Sequence, residues 1–439
     1  MKPKHIKDFL LSEIRSVAAK SEEFCYDPHR DFTRKRKLSF ESMLKNIIGM
    51  GSKSLTNEMI DLFQASSEMP SASAFVQKRA KIKPEALKSI FDRFTQKMLT
   101  MPSDEMKILA VDGSDIQIAT NPQDESSFFQ GANGQKPYNI LHLNALYSLD
   151  QHIYVDTIIQ GRWDWNEHAA LQTMVDHSNI PKALVIADRG YESYNNMAHI
   201  QEKGWFFLIR IKDGNGSIKG NLQLPDSPTF DMKVDLALTR KQSNETKQLC
   251  KDKNRYRFLP ANTTFDYLPK KSGYREKAVF YRLSFRIVRF LLSENEYETI
   301  LTNLNEELFP PGRLKELYAL RWGIETAFRN LKYTIGMNRL HTKKVTNCLQ
   351  EIFAHLIMYN FAEVITSHVA ITTRNRKYTY KANFSVAVHV CRRFYLGDIS
   401  PPDLEALIAS NLIPIRPDRH YPRNLQGWGL FQGFLYRIA

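Results

Sequence analysis

Apolar positions in the first hundred residues recur at helical spacing, and short polar turns separate the runs. Residues 40–48 and 55–63 predict two short helices joined by a turn at Gly49 and Gly51. A third starts after Pro70, with Ser71 placed to cap it, and runs to Arg79. Short helices, a glycine turn and a polar, basic third helix predict a helical DNA-binding region over residues 1–100. In a helix-turn-helix reading, Gln77, Lys78 and Arg79 meet DNA. A plain helical bundle with a solvated basic face, including the run Arg34 to Lys37, is the alternative.

From Lys107 the period changes. Residues 108–111 read as a short buried strand ending at Asp112, and 141–147 with 152–159 as a hairpin around Asp150. A helix over 167–177 follows, then a second buried strand, 183–187, ending at Asp188. A helix over 194–203 and a strand over 205–211 complete an α/β pattern with a mixed sheet, as in RNase H-like folds. Between about 213 and 306 the helical period lapses and Gly, Ser, Pro and Asn are frequent. Strands at 255–259, 278–280, 285–292 and 297–303 predict a β-rich insertion carried on an α/β domain spanning 101–345. Pro310-Pro311 opens a long helix. Residues 346–439 begin helical and become irregular and basic. The apolar run 349–371 is broken by Glu351, His355, Asn360, Glu363 and His368, which predicts a buried core helix rather than a membrane span.

Composition narrows the class. With 439 residues, 43% of them hydrophobic, the chain can fill more than one structural unit. Its net charge of +14 calls for a polyanionic partner, double-stranded DNA first and an acidic membrane surface second. Cys25, Cys250, Cys348 and Cys391 are scattered without zinc or disulfide spacing, and the basic start lacks the apolar core of a secretory signal. A cytoplasmic, nucleoid-associated protein is expected.

Chemistry concentrates in residues 318–332. Wound as one helix, Tyr318, Arg321, Glu325 and Lys332 share a sector of roughly 60°, beside an apolar stripe of Leu317, Leu320, Ile324, Phe328 and Leu331. Glu325 can ligate a metal while the cations hold phosphate oxygens. An Arg321–Glu325 salt bridge at i,i+4 is the alternative that spacing leaves open. Asp112 and Asp188 each end an apolar strand, as site residues or as turn formers before Gly113 and Gly190. Asp115 is a substitute for Asp112, of opposite strand parity. Three carboxylates from separated segments suit two-metal displacement at phosphorus, with Mg²⁺ or Mn²⁺ as the hard ions.

The chain resembles the DDE transposases of the IS4 family. Their signature Tyr-x2-Arg-x3-Glu-x6-Lys is matched by Tyr318, Arg321, Glu325 and Lys332, with Trp322 after the arginine. Asp188-Arg189-Gly190-Tyr191 matches the block of the second aspartate, and Asp112 stands where the first does. The likeness spans roughly residues 40–341. It implies an RNase H-like catalytic domain binding two divalent metal ions, and a dimer acting on the terminal inverted repeats of an element and on target DNA. A nuclease without strand transfer and a domesticated, non-catalytic DNA-binding protein are the competing readings. Trp205 is read as core, and His341 as DNA-facing or solvated. Arg374, Arg376, Lys377, Lys381, Arg392 and Arg393 are read as tracking phosphate or as a solvated face.

Overall fold

The computed structural model describes residues 2–34, 36–99, 105–131, 134–212, 216–270, 277–293, 296–369 and 379–415. Arg374, Arg376 and Lys377 lie outside them. Apart from a single turn at Ser21–Phe24, five helices come first among the described residues: α1 (Pro3–Ala18), α2 (Phe40–Gly49), α3 (Leu55–Leu62), α4 (Ala72–Arg79) and α5 (Glu85–Met98). The Ser39, Ser54 and Ser71 side chains each accept a backbone N–H in the first turn of α2, α3 and α4.

A ten-stranded mixed sheet forms the middle of the molecule. Its main members are β1 (Lys107–Ile118), β2 (Tyr138–Ser148), β3 (Ile153–Gln160), β4 (Ala183–Ala187), β5 (Phe206–Arg210), β6 (Phe230–Thr239), β7 (Tyr281–Ser293) and β8 (Glu296–Thr302). They lie in the order β3-β2-β1-β4-β5-β8-β7-β6. β1 to β3 form an antiparallel meander, while β4 and β5 run parallel to β1. All of β4 is buried, as expected of a parallel strand covered on both faces. The β-rich segment is not set apart: β8 pairs with β5, so its strands extend the same sheet.

Helices cover both faces. α6 (Glu167–His177) and α7 (Tyr194–Glu202) pack with β4 and β5 around Trp205, which is core as expected. On the other face lie α8 (Pro311–Ala319) and α9 (Trp322–Arg329), then α10 (Val345–His368), α11 (Phe384–Leu396) and α12 (Pro401–Ser410). The first five helices, α10 and α11 share one apolar core with β1 and β2. α10 is buried along most of its length, and its polar residues have partners. Asn360, for example, bonds the Tyr154 backbone N–H and C=O and the Thr95 hydroxyl. Among the described residues, no helix is long and apolar enough to cross a membrane.

Burial pushes the Glu363 carboxyl on α10 up to about 8, against the hydrogen bond from Tyr359. From its ordinary 4.5 up to about 8 the folded chain holds a proton that the unfolded chain has released. Stability from this group therefore falls as pH rises through that window. Glu363→Gln should melt with wild type at pH 4.5 but above it at pH 8.5. Equal melting temperatures at both pH values would show the carboxyl to be solvated.

Candidate active site

Parallel pairing of β1 with β4 ends at Ala110 opposite Ile186. Asp112 lies just beyond that point on β1, and Asp188 just beyond the end of β4. Both aspartates therefore sit where the two strands part, at their carboxyl ends, the usual position for a site on such a sheet. Asp112 does not end its strand: β1 continues to Ile118, held by β2, with Asp112 opposite Ala145. It shares the parity of Ala110, whose face packs beneath α9.

The 318–332 segment is not one helix. α8 stops at Ala319, and the N–H groups of Arg321, Gly323 and Ile324 reach back only three residues. α9 then runs from Trp322 to Arg329 and passes into a π-helical turn, Asn330–Ile335. A tightened turn followed by a widened one changes the angular step per residue, so one wheel does not describe the segment. Leu320 accordingly leaves the apolar stripe and is 46% exposed, whereas Leu317, Ile324, Phe328 and Leu331 are buried.

Even so, the fold gathers the signature's acid and arginine with the first aspartate. Arg321 Nη2 donates to Glu325 Oε1 at 2.8 Å, and Nη1 lies 3.9 Å from Asp112 Oδ2. The i,i+4 salt bridge is thus present, and it reaches Asp112 as well. Burial pushes the Asp112 carboxyl up to about 6. The Gly113 N–H and Arg321 oppose that rise, and the Asp188 and Glu325 carboxylates add to it. Asp188 also forms its turn: its Oδ1 accepts the Gly190 N–H at 2.6 Å. Tyr318 is buried, and its hydroxyl has no hydrogen-bond partner among the described residues; the same holds for Arg321 Nε. Trp322 is 48% exposed, with its ring 5.2 Å from the Arg321 guanidinium. Burial lowers the Lys332 ammonium, and the carboxylate that opposes this is Asp115. Lys332 lies within the π-helical turn.

Asp115 is spoken for. His142, facing it across the β1–β2 ladder, puts Nδ1 2.7 Å from Asp115 Oδ1 and Nε2 3.0 Å from Glu167 Oε1. Burial alone would lower this imidazole, but the two carboxylates override it and push it up to about 9. Trp165 stacks on the ring at 4.4 Å. Nothing in the local pattern marked His142, Trp165 or Glu167, since only the strand register brings His142 to Asp115. The cluster also presses on the residue after Asp112. A Cβ at Gly113 would lie 2.4 Å from His142 Nε2 and 2.9 Å from Glu167 Oε1. Gly113→Ala should therefore cost about 1–3 kcal/mol in urea unfolding. A cost below about 0.5 kcal/mol would mean that the imidazole moves aside freely.

Four residues read as candidate DNA contacts are corrected. Arg79 is buried, ion-paired with Glu351 and hydrogen-bonded to Gln350 and the Asn347 carbonyl. Consecutive residues on a helix point about 100° apart, so Gln77, Lys78 and Arg79 cannot share one face. The His341 side chain is buried against Glu351 at 3.1 Å. Arg393 pairs with Asp398 at 3.1 Å, and burial lowers the Arg392 guanidinium, so this pair does not form an open basic face. Gln77 remains exposed, and Lys78 Nζ lies 4.3 Å from the centre of the Phe32 ring.

Residues 103–361 match the family described as "Transposase DDE domain". The chain belongs to that family. It is an IS4-family DDE transposase, an enzyme that cuts and joins DNA strands. Asp112, Asp188 and Glu325 all fall inside the matched span. This transposase is 21% identical over 348 residues to transposase InsG of insertion sequence element IS4 from Escherichia coli K12, covering 74% of this chain and 70% of InsG. A solved piggyBac transposase synaptic complex with hairpin DNA aligns at a TM-score of 0.47 and 10% identity, over 90% of this chain and 80% of that one.

Proposed function

We propose that this transposase excises an insertion sequence and joins it to target DNA by metal-dependent phosphoryl transfer at Asp112, Asp188 and Glu325. The observation that carries the reading is the approach of Asp112 and Glu325, from separate segments, to one arginine, Arg321, with the Asp188 carboxylate near enough to act on Asp112. Hard carboxylate oxygens suit Mg²⁺ or Mn²⁺, and the Asp188 and Glu325 carboxylates lie near enough to act on Asp112, although among the described residues no three such side chains are grouped closely enough to hold an ion. Held by Asp112, Asp188 and Glu325, two such ions would activate the attacking oxygen and stabilise the leaving one. Arg321, Tyr318 and Trp322 border the same place. The unpartnered Tyr318 hydroxyl and Arg321 Nε are donors suited to phosphate oxygens. Lys332 takes up DNA farther along, near Asp115. The strand order 3-2-1-4-5 supports the RNase H-like reading. Both element ends are held in a homodimer, and the work is done in the cytoplasm on the nucleoid.

End recognition falls to the N-terminal helices. A cavity of about 840 Å³ beside α4 is lined by Arg30, Arg34, Arg36, Lys37, Lys78 and Lys81, with Gln77 at its wall. Such a cluster attracts a phosphate backbone. Gln77→Ala with Lys78→Ala should weaken binding to end DNA and flatten its salt dependence by roughly one unit of slope. An unchanged salt slope would place the DNA elsewhere.

Full-length protein given Mg²⁺ and DNA carrying both element ends tests the function. Excised element and strand-transfer product are expected, with Ca²⁺ supporting binding but little chemistry. Cleaved ends that are never joined would reduce the protein to a nuclease.

A further inference from the structure

The loop between β3 and α6, residues 161–166, presents two tryptophans to solvent beside β1. Trp163 is 69% exposed and Trp165 39%. Their indoles leave in water an apolar area that folding usually buries. The loop is pinned at both ends. The Arg162 N–H donates to the Ser126 carbonyl at 2.6 Å, and Arg162 Nη1 to that of Phe128 at 3.1 Å. A Cβ at Gly161 would run into the same Ser126 oxygen. At the far end the Asn166 side chain caps α6, and its N–H donates to Gln160 Oε1 at 3.1 Å. Rings carried on such a loop lose little conformational freedom on meeting a partner.

The rings form a row that begins beside Asp112. His142 lies against Gly113, the next residue along β1. Trp165 stacks on His142 at 4.4 Å, and Phe129 meets Trp165 edge-on at 6.2 Å. The Arg162 guanidinium lies 5.3 Å from the Phe129 ring and 4.8 Å from the Trp163 ring. A flat apolar face backed by a fixed cation matches a nucleobase with its phosphate. Asp164, exposed between the two tryptophans, repels a phosphate backbone laid directly across them. Bases inside a duplex cover one another's faces. A protein ring can therefore receive one only where the stack is interrupted, and cutting or joining a strand interrupts it.

We propose that Trp163, backed by Arg162, stacks an unpaired base of the DNA strand at the cut, with Trp165 bracing the row against β1. This rests on the reading that places the cut at Asp112. Every base has a π-face, so the loop holds the strand in position without reading its sequence.

Binding to the full-length protein in Ca²⁺ tests this without turnover, with two probes: a blunt end-DNA duplex, and the same duplex carrying one unpaired 2-aminopurine nucleotide at a strand end. Wild type should bind the second about 10-fold more tightly, the factor expected of one stacked base, and quench its fluorescence. Trp163→Ala should lose the preference and the quenching while binding the blunt duplex as wild type does. Trp163→Phe, which keeps an aromatic face, should retain most of both. Preference and quenching that survive in Trp163→Ala would overturn the proposal. So would an equal loss of affinity for both probes, which would make the loop a plain duplex contact. Asp112→Asn should quench as wild type does, because stacking needs no carboxylate. Normal cleavage by Asp112→Asn would therefore unseat the catalytic reading, while the quenching still decides the stacking.

Discussion

Asp112→Asn, Asp188→Asn and Glu325→Gln should each yield a folded protein that binds end DNA and cuts it on the order of 10³-fold more slowly or worse. A metal-binding carboxylate underlies several kcal/mol of charge stabilisation in the transition state, and each 1.36 kcal/mol is a tenfold change in rate. The amides keep the size and the hydrogen-bonding shape of the acids, so the fold should tolerate them. For Asp112 the exchange removes a carboxylate that burial already disfavours as an ion, so its melting temperature should hold or rise. Asp115→Asn is the matched control: its carboxylate serves His142, three residues along the same strand. Gel-based cleavage of labelled ends, run beside a binding assay, reads both properties. Near-wild-type cleavage by any of the first three variants would remove that residue from the site. Cleavage lost with Asp115→Asn and retained with Asp112→Asn would exchange their roles.

The largest effect on stability should come from Arg79→Ala, at about 3–5 kcal/mol. Arg79 joins α4 to α10 through Glu351 and Gln350, and the Arg79 and Glu351 side chains are only 2% and 1% exposed. Burial alone would raise the Glu351 carboxyl, but Arg79 and His341 together hold it well below the usual carboxylate range. Removing the guanidinium leaves a buried carboxylate supported by His341, through its ring and its backbone N–H, and by His355. The sign in pH follows. A depressed folded pKa gives stability that is present above the ordinary 4.5 and lost as pH falls through the folded value. Acid should therefore destabilise wild type more steeply than Arg79→Ala. Chemical denaturation at pH 7 and at pH 4 reads both quantities. A variant of unchanged stability with weakened DNA binding would return Arg79 to the DNA-contact role that its sequence position suggested.

Much of the secondary structure was legible because it is written locally. Ser71 caps α4, residues 183–187 form a fully buried strand, and the hairpin around Asp150 closes between β2 and β3. Each follows from a short-range cause: a hydroxyl that meets an orphan N–H, an unbroken apolar run, or a polar turn between alternating strands. Asp188 was conspicuous for a similar reason, as an aspartate just past an apolar strand, whereas Asp112 lies inside its strand. Extension of β1 beyond Asp112 was not, because β2 supplies the pairing from thirty residues away in the register of Asp112 with Ala145.

By itself, then, the sequence determined the kinds and places of most elements, the two aspartates and the signature segment, and the excess of positive charge. Tertiary structure alone decided which of those groups meet. Arg79 and Glu351 are 272 positions apart, and their pairing turned a presumed DNA contact into a buried strut. β8 lies beside β5 and so draws the β-rich segment into the main sheet. A break at Arg321 and a π turn after Arg329 replaced the single regular helix that the spacing suggested. The physical reason is common to all three. Periodicity and caps act over a few residues, whereas burial and ion pairing depend on surfaces that exist only once distant segments have packed.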